Sequence, residues 1–200
     1  MAQKSKRRRK QKSNTQWVVL GVVLILFGTA LFLLWSGFHS LSNSTTSTSA
    51  SDEMSVMPMA VSYPAPQLEL QNINGTDESL SDFQKKILLV NNWATWCPPC
   101  KAEMPTLEAY YESHAAQDFM IVAIEAGDPQ DTVSQFAQSH TLKFHVWIDP
   151  QNASLAVFKN TNLPNSYVID RTGTVRYAWT GAISRAMLEK YVTPLLSQSN

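Results

Sequence analysis

Continuous apolar runs and spaced apolar positions alternate along the chain from about residue 66 onwards. Three continuous runs are typical of strands buried in a parallel sheet, and they cover residues 87–93, 119–124 and 144–148. Helical spacing of apolar side chains predicts three helices, one from just after Cys97 to about residue 116, one at 131–139 and one at about 184–196. A short helical turn is expected at residues 153–158.

Two hairpins complete the pattern. The alternating residues 68–70 precede Asn74 and Gly75, a pair that strongly favours a tight turn. Residues 170–173 join two further alternating segments, 166–169 and 175–179. A β-α-β-α-β order followed by a hairpin and a helix predicts an α/β domain whose mixed β-sheet is flanked by helices.

The segment from Trp17 to Phe38 contains no charged residue and consists mainly of large apolar residues and glycine. Such a run is long enough to cross a hydrocarbon core of roughly 30 Å, and tryptophans lie near both of its ends, at Trp17 and Trp35. A cleaved signal peptide is the alternative, but its apolar core is usually about 7–15 residues long. We therefore expect a retained, N-terminal single transmembrane helix.

Charge is distributed unevenly, although the formal net charge is zero. Seven of the 16 lysines and arginines precede Trp17, and no acidic residue precedes Asp52. A basic arm beside an apolar run predicts that the N-terminus is cytoplasmic and that everything after Phe38 is extracytoplasmic. The arm could also bind nucleic acid, but its position beside the anchor favours a topogenic signal, so we expect no nucleic-acid partner.

Composition divides the chain into four segments. Residues 1–16 form the cytoplasmic basic arm and 17–38 the transmembrane anchor. Residues 39–65 are rich in serine and threonine and bury little apolar surface, which predicts a flexible tether. Residues 66–200 form the folded domain.

The chain has two cysteines, Cys97 and Cys100, separated by two prolines. A Cys-x-x-Cys pair where a strand ends and a helix begins is typical of a redox-active dithiol. A structural disulfide is the alternative, but so short a loop stabilises little. Half of a zinc site is a further alternative, although the histidines at 114, 140 and 145 form no ligand cluster with the pair. We expect no metal, and no cofactor other than a Cys97–Cys100 disulfide.

Residues from about 66 to the C-terminus resemble the thioredoxin superfamily, and within it the TlpA/ResA-like membrane-anchored thiol–disulfide oxidoreductases. The resemblance covers roughly two thirds of the chain, and the basic arm and single anchor also match the layout of this family. It is carried by Trp96, Cys97, Pro98, Pro99 and Cys100, by Glu103 and Pro105 in the following helix, and by Leu163 and Pro164 before the last hairpin. The resemblance implies a thioredoxin-like fold.

The resemblance also implies roles for three residues of the motif. Cys97, at the start of a helix that stabilises a thiolate, would attack a substrate disulfide, and Cys100 would resolve the mixed disulfide. Glu103 would lie close to the dithiol and assist its proton transfers. The alternative for Glu103 is a solvated glutamate on the helix surface. Glu125, after the second strand, lies either at the rim of the same site or on the surface.

Substrate binding is implied for Trp96, Leu163 and Pro164. Pro164 would form a cis peptide bond facing the dithiol, so that the backbone of Leu163 pairs with a substrate strand; an ordinary trans loop proline is the alternative. The chain departs from the family pattern at Asn162 and Asn165, where glycine and threonine are common. The substrate preference is therefore left open.

The activity implied is an extracytoplasmic reductant of protein disulfides at a bacterial cell membrane, for example on apocytochrome c before haem attachment. Its expected partners are protein thiol and disulfide substrates and a thiol-transferring electron donor in the membrane. One alternative is a disulfide oxidase or isomerase, because reduction potentials in this superfamily span a wide range. A peroxiredoxin-type peroxidase is another alternative, but Ala94 stands where such an enzyme usually has threonine, which argues against it. A further alternative is a tethered binding or chaperone module with a merely structural disulfide.

Overall fold

The computed structural model describes residues 57–198, in which strands and helices alternate. The strands are β1 (Met59–Pro64), β2 (Glu69–Asn72), β3 (Asp77–Ser79), β4 (Ile87–Trp93), β5 (Phe119–Ala126), β6 (His145–Asp149), β7 (Asn165–Ile169) and β8 (Thr174–Thr180). The helices are α1 (Pro98–His114), α2 (Gln130–Ser139), α3 (Ala153–Val157), α4 (Arg185–Tyr191) and α5 (Thr193–Leu196). Two 3₁₀ turns lie at Leu80–Phe83 and Ala115–Gln117.

All of these strands belong to one mixed sheet with the order β1-β8-β7-β4-β5-β6-β2-β3. β4, β5 and β6 are parallel, and the remaining neighbours pair antiparallel. β4 is buried at every position, as its continuous apolar run predicts. The predicted α/β architecture, a thioredoxin-like mixed sheet flanked by helices, is confirmed.

Successive residues of β4 point to opposite faces of the sheet, and each face has its own apolar cluster. Ile87, Leu89 and Trp93 belong to the cluster that also contains Cys97 and Cys100. Leu88 and Val90 belong to the cluster on the other face, with Phe83 and Phe158. The two cysteines therefore pack on one face of β4, and the second apolar cluster packs on its opposite face.

The sheet begins earlier than the sequence predicts. β1 lies within residues 39–65, the predicted tether, and it pairs antiparallel with β8. Its side chains are exposed except for the half-buried Val61, so this edge strand lacks the apolar alternation by which strands are found. Pro64 ends it, at an edge position where a missing N–H is tolerated.

The predicted anchor, residues 17–38, lies outside the described part of the chain. Within residues 57–198, no helix combines the length and the apolar character that crossing a membrane requires.

The last predicted helix, at 184–196, is interrupted. α4 and α5 are separate because Pro194 has no N–H to donate to the carbonyl of Lys190. Arg171, in the turn between β7 and β8, donates to the carbonyls of Leu195 and Leu196. These bonds satisfy acceptors that the end of a helix leaves free, and they fasten the C-terminal helix to the sheet.

Candidate active site

The two cysteines lie at the point where β4 ends and α1 begins. Cys97 is the N-cap residue of α1, and its sulfur accepts a hydrogen bond from the backbone N–H of Cys100 at 3.3 Å. The two sulfurs form a disulfide, with a Cα–Cα distance of 5.3 Å. Cys97 is 4% exposed, whereas Cys100 is completely buried. Pro98 and Pro99 occupy the first helical turn, where an absent N–H breaks no helical hydrogen bond.

The peptide bond between Leu163 and Pro164 is cis, as predicted. Register pairing places Asn165, the first residue of β7, opposite Asn92 of β4, so Pro164 lies at the sheet edge where β4 leads into the cysteines. Leu163 is half-buried and packs against the apolar cluster that contains both cysteines. Trp96, immediately before Cys97, is 66% exposed. The pairing of β4 with β7 therefore places Leu163 and Pro164 at the end of β4 that leads into Trp96 and the two cysteines.

Glu103 lies one turn after Cys100 on α1 and is 3% exposed, so it is not a solvated surface glutamate. One carboxyl oxygen accepts from Asn91 Nδ2 at 2.9 Å, and the other accepts from the backbone N–H of Ile183 at 2.9 Å. Burial raises the pKa of Glu103 to about 7, and the two hydrogen bonds limit the rise. The group therefore changes protonation state near neutral pH.

Asn91 is a site residue that the sequence analysis missed. It lies in β4 on the face that carries Trp93, and its amide nitrogen donates to Ser166 Oγ at 2.9 Å as well as to Glu103. Within residues 57–198, its Oδ1 atom has no hydrogen-bond partner although it is buried. The signal in the sequence was a polar residue inside an otherwise apolar strand, which a buried strand tolerates only when the side chain has a partner.

Glu125 is also completely buried, which excludes the surface alternative for this residue. It lies near the end of β5, opposite Trp93, and its Oε2 atom accepts from the backbone N–H of Asp128 at 2.8 Å. Burial and the neighbouring Asp128 side chain raise the pKa of Glu125 to about 7. Thr95 donates a hydrogen bond to Asp128 and so ties the loop before the cysteines to this carboxyl pair.

The site thus combines a disulfide at a helix N-terminus with two buried carboxyl groups that titrate near neutral pH. The helix dipole and the N–H of Cys100, which donates to Cys97 Sγ, stabilise a thiolate at the Cys97 position. A buried carboxyl group with a pKa near neutrality can hold or accept a proton there. Within the described residues, no group of three His, Cys, Asp or Glu side chains could hold a metal ion.

These features define a thioredoxin-fold thiol–disulfide oxidoreductase. A family model for the AhpC/TSA family matches residues 61–178, and the chain belongs to this family.

Curated relatives carry the name thiol–disulfide oxidoreductase ResA. The protein of that name from Geobacillus kaustophilus (strain HTA426) is 33% identical over 134 residues, which cover 67% of this chain and 77% of the relative. The one from Geobacillus thermodenitrificans (strain NG80-2) is 29% identical over 181 residues, which cover 90% and 97%. A solved thioredoxin-family thiol:disulfide interchange protein from Chlorobium tepidum TLS is similar in structure, with a TM-score of 0.63 and 26% identity over 70% of this chain and 99% of that one.

Proposed function

We propose that this enzyme is an extracytoplasmic, membrane-anchored reductant of protein disulfides that acts through Cys97 and Cys100. One observation carries the proposal: Cys97, the more accessible cysteine, is the N-cap of α1, whereas Cys100 is completely buried and lies between Cys97 and Glu103 in the sequence of that helix. Such an asymmetric pair suits two successive attacks, one on the substrate and one on the intermediate.

The reaction begins with both cysteines reduced. The thiolate of Cys97 attacks one sulfur of a substrate disulfide, forms a mixed disulfide, and releases the other substrate sulfur as a thiolate that takes up a proton. Cys100 then attacks Cys97 Sγ, which releases the second substrate thiol and leaves the Cys97–Cys100 disulfide. The substrate gains two electrons and the dithiol loses two, so no bound cofactor is needed. A dithiol donor must reduce the enzyme again.

Glu103 serves the second attack in this proposal. Cys100 is completely buried, so its thiol needs an internal acceptor for the proton that it loses. The ionised Glu103, one turn along the same helix, takes that proton, and the hydrogen bonds from Asn91 and Ile183 hold the carboxylate in place. A pKa of about 7 lets Glu103 accept and later release the proton near neutral pH.

The substrate segment binds at the cis-proline edge. An extended peptide pairs with exposed backbone groups, and no hydrogen bond to the Leu163 backbone occurs among residues 57–198. The exposed ring of Trp96 provides apolar contact beside Cys97. Pro164 itself is buried.

Residues 17–38 anchor the chain in a bacterial cell membrane with the catalytic domain outside. The support is the basic arm before an uncharged apolar run, together with a relative that matches over 181 residues, too many to fit within residues 57–200. In that compartment the dithiol depends on an electron donor in the membrane. Apocytochrome c before haem attachment is a suitable substrate class, since its cysteines must be reduced.

Insulin reduction by the full-length enzyme, with dithiothreitol as the donor, tests the chemistry. The wild-type enzyme should accelerate insulin reduction, and Cys97→Ala should lower the rate to that of dithiothreitol alone, because the remaining cysteine, Cys100, is completely buried and cannot reach a protein disulfide. Ser113→Ala, at an exposed position of α1, is the control and should keep full activity. Failure of the wild-type enzyme to exceed dithiothreitol alone would favour a module with a merely structural disulfide, and full activity in Cys97→Ala would show that Cys97 is not the attacking residue.

The pH dependence of the resolving step tests Glu103. The wild-type rate should rise with pH through about 7, because Glu103 accepts a proton only when ionised. In Glu103→Gln this rise should vanish, and the rate should increase only at the higher pH where the Cys100 thiol ionises on its own. Rapid-quench measurement of mixed-disulfide decay gives the rate. Glu112→Gln, exposed on the same helix, is the control; an unchanged profile in Glu103→Gln would remove Glu103 from the mechanism.

Thiol labelling of intact bacterial cells tests the topology. After mild reduction, a membrane-impermeant maleimide should label Cys97 without lysis, since the proposal puts the domain outside the membrane. A variant without residues 1–38 should be labelled only after lysis, and a variant with both cysteines replaced by alanine corrects for background. Labelling of the full-length protein only after lysis would contradict the extracytoplasmic assignment.

A further inference from the structure

The cis-proline loop is held from the face of the sheet opposite the dithiol. Asn165 directly follows Pro164 and is completely buried. Its amide nitrogen donates to the backbone carbonyl of Asn162 at 2.6 Å and lies 3.4 Å from the carbonyl of Asn160. One side chain thus closes a loop that contains the cis peptide bond.

A chain of buried hydrogen bonds fixes the orientation of this amide. Ser154 Oγ donates to Asn92 Oδ1 at 2.5 Å, so the Asn92 amide nitrogen faces the other way and donates to Asn165 Oδ1 at 2.8 Å. An asparagine side chain has one acceptor oxygen and one donor nitrogen, so the nitrogen of Asn165 must point to the loop. Asn92, Ser154 and Asn165 are all completely buried.

This network of hydrogen bonds begins at the buried Asp149, at the end of β6. Both carboxyl oxygens of the buried Asp149 accept from the first turn of α3, one from the N–H of Ala153 at 2.9 Å and one from the N–H of Ser154 at 2.7 Å. The network of hydrogen bonds therefore runs from the end of β6, through α3 and β4, to the loop before β7. A fully paired buried network of this kind specifies one arrangement of its members.

The two ends of the loop are fixed, and the residue between them is free. The Asn162 carbonyl is held by Asn165, and the Pro164 carbonyl accepts from the N–H of Gly181 at 2.8 Å. Leu163 lies between these two, and its backbone makes no hydrogen bond among residues 57–198. The loop therefore presents the Leu163 backbone in one orientation.

We propose that Asn165 is a positioning residue for protein substrates: its side-chain amide holds the Asn162 carbonyl and so orients the Leu163 backbone that pairs with an extended substrate segment. This inference rests on the proposed function, because it assigns the docking edge of the same site. It predicts selectivity for disulfides that lie in extended polypeptide over small disulfides that have no backbone to pair.

The test compares a protein disulfide with a small one, using the full-length enzyme. For Asn165→Ala, KM for insulin should rise about tenfold, since a disordered edge loses more than one backbone hydrogen bond to the substrate. The kcat for insulin and the rate with hydroxyethyl disulfide should stay within about twofold of wild type, because the dithiol lies on the other face of the sheet. Asn165→Asp, which keeps the acceptor for Asn92 but loses the donor to the loop, should raise KM in the same way.

Val175→Ala is the matched control for lost stability. Val175 is completely buried in the apolar cluster on the same face as Asn165, but β8 pairs it far from the loop, with Ile169 and Tyr63. Its KM for insulin should stay that of wild type. In Asn165→Ala, amide hydrogen exchange at Gly181 should accelerate, which reports the loosened loop directly.

Each contrary result has a separate meaning. If the wild-type enzyme reduces insulin but Asn165→Ala keeps its KM, the positioning role is wrong and the proposed function stands. An equal loss with insulin and hydroxyethyl disulfide would also overturn the role, because the effect would then lie at the dithiol. A KM increase in Val175→Ala would show that lost stability, not the loop, is responsible. Failure of the wild-type enzyme to reduce insulin would overturn the proposed function itself.

Discussion

The complete burial of β4 is the constraint on which the other features of the site depend. Every residue of this strand is buried, and it pairs with parallel β5 on one side and antiparallel β7 on the other. Its end fixes the start of α1 and hence Cys97, and its pairing with β7 brings the cis-proline loop to the same edge. Because a strand buried on both faces has a fixed register, the position of the dithiol relative to the cis-proline loop is fixed as well.

Two consecutive asparagines in this strand serve the two sides of the sheet. Asn91 points to the face of α1 and contacts Glu103, whereas Asn92 points to the other face and contacts Asn165. A buried polar group left without a partner costs about 1–3 kcal/mol, so the amide nitrogen of Asn91 and both polar atoms of Asn92 depend on the partners that these networks supply. The proton-handling residues and the docking loop are therefore positioned from one strand, by side chains that do not touch each other's network.

The sequence predicted the fold where apolar patterns are strong and failed where they are weak. β4 and β5 follow from continuous apolar runs, but the exposed edge strand β1 has no alternation to reveal it. The positions of Cys97 and Cys100 follow from their spacing at a strand–helix junction, and the cis state of Pro164 came from the family resemblance. Burial of Glu103 and Glu125 could not be predicted, because it depends on Asn91, Ile183 and Asp128, which are brought to these carboxyls only by the sheet and its loops.

The reduction potential of the full-length enzyme tests the central claim, which is that electrons flow from this dithiol to protein disulfides. Equilibration in dithiothreitol buffers, with the reduced fraction measured by thiol alkylation, gives the value. A reductant should have a potential toward that of thioredoxin, about −270 mV, whereas a value toward about −120 mV is that of a strong oxidant. The first result is the one that we expect; the second would contradict the account and identify the enzyme as a disulfide oxidase.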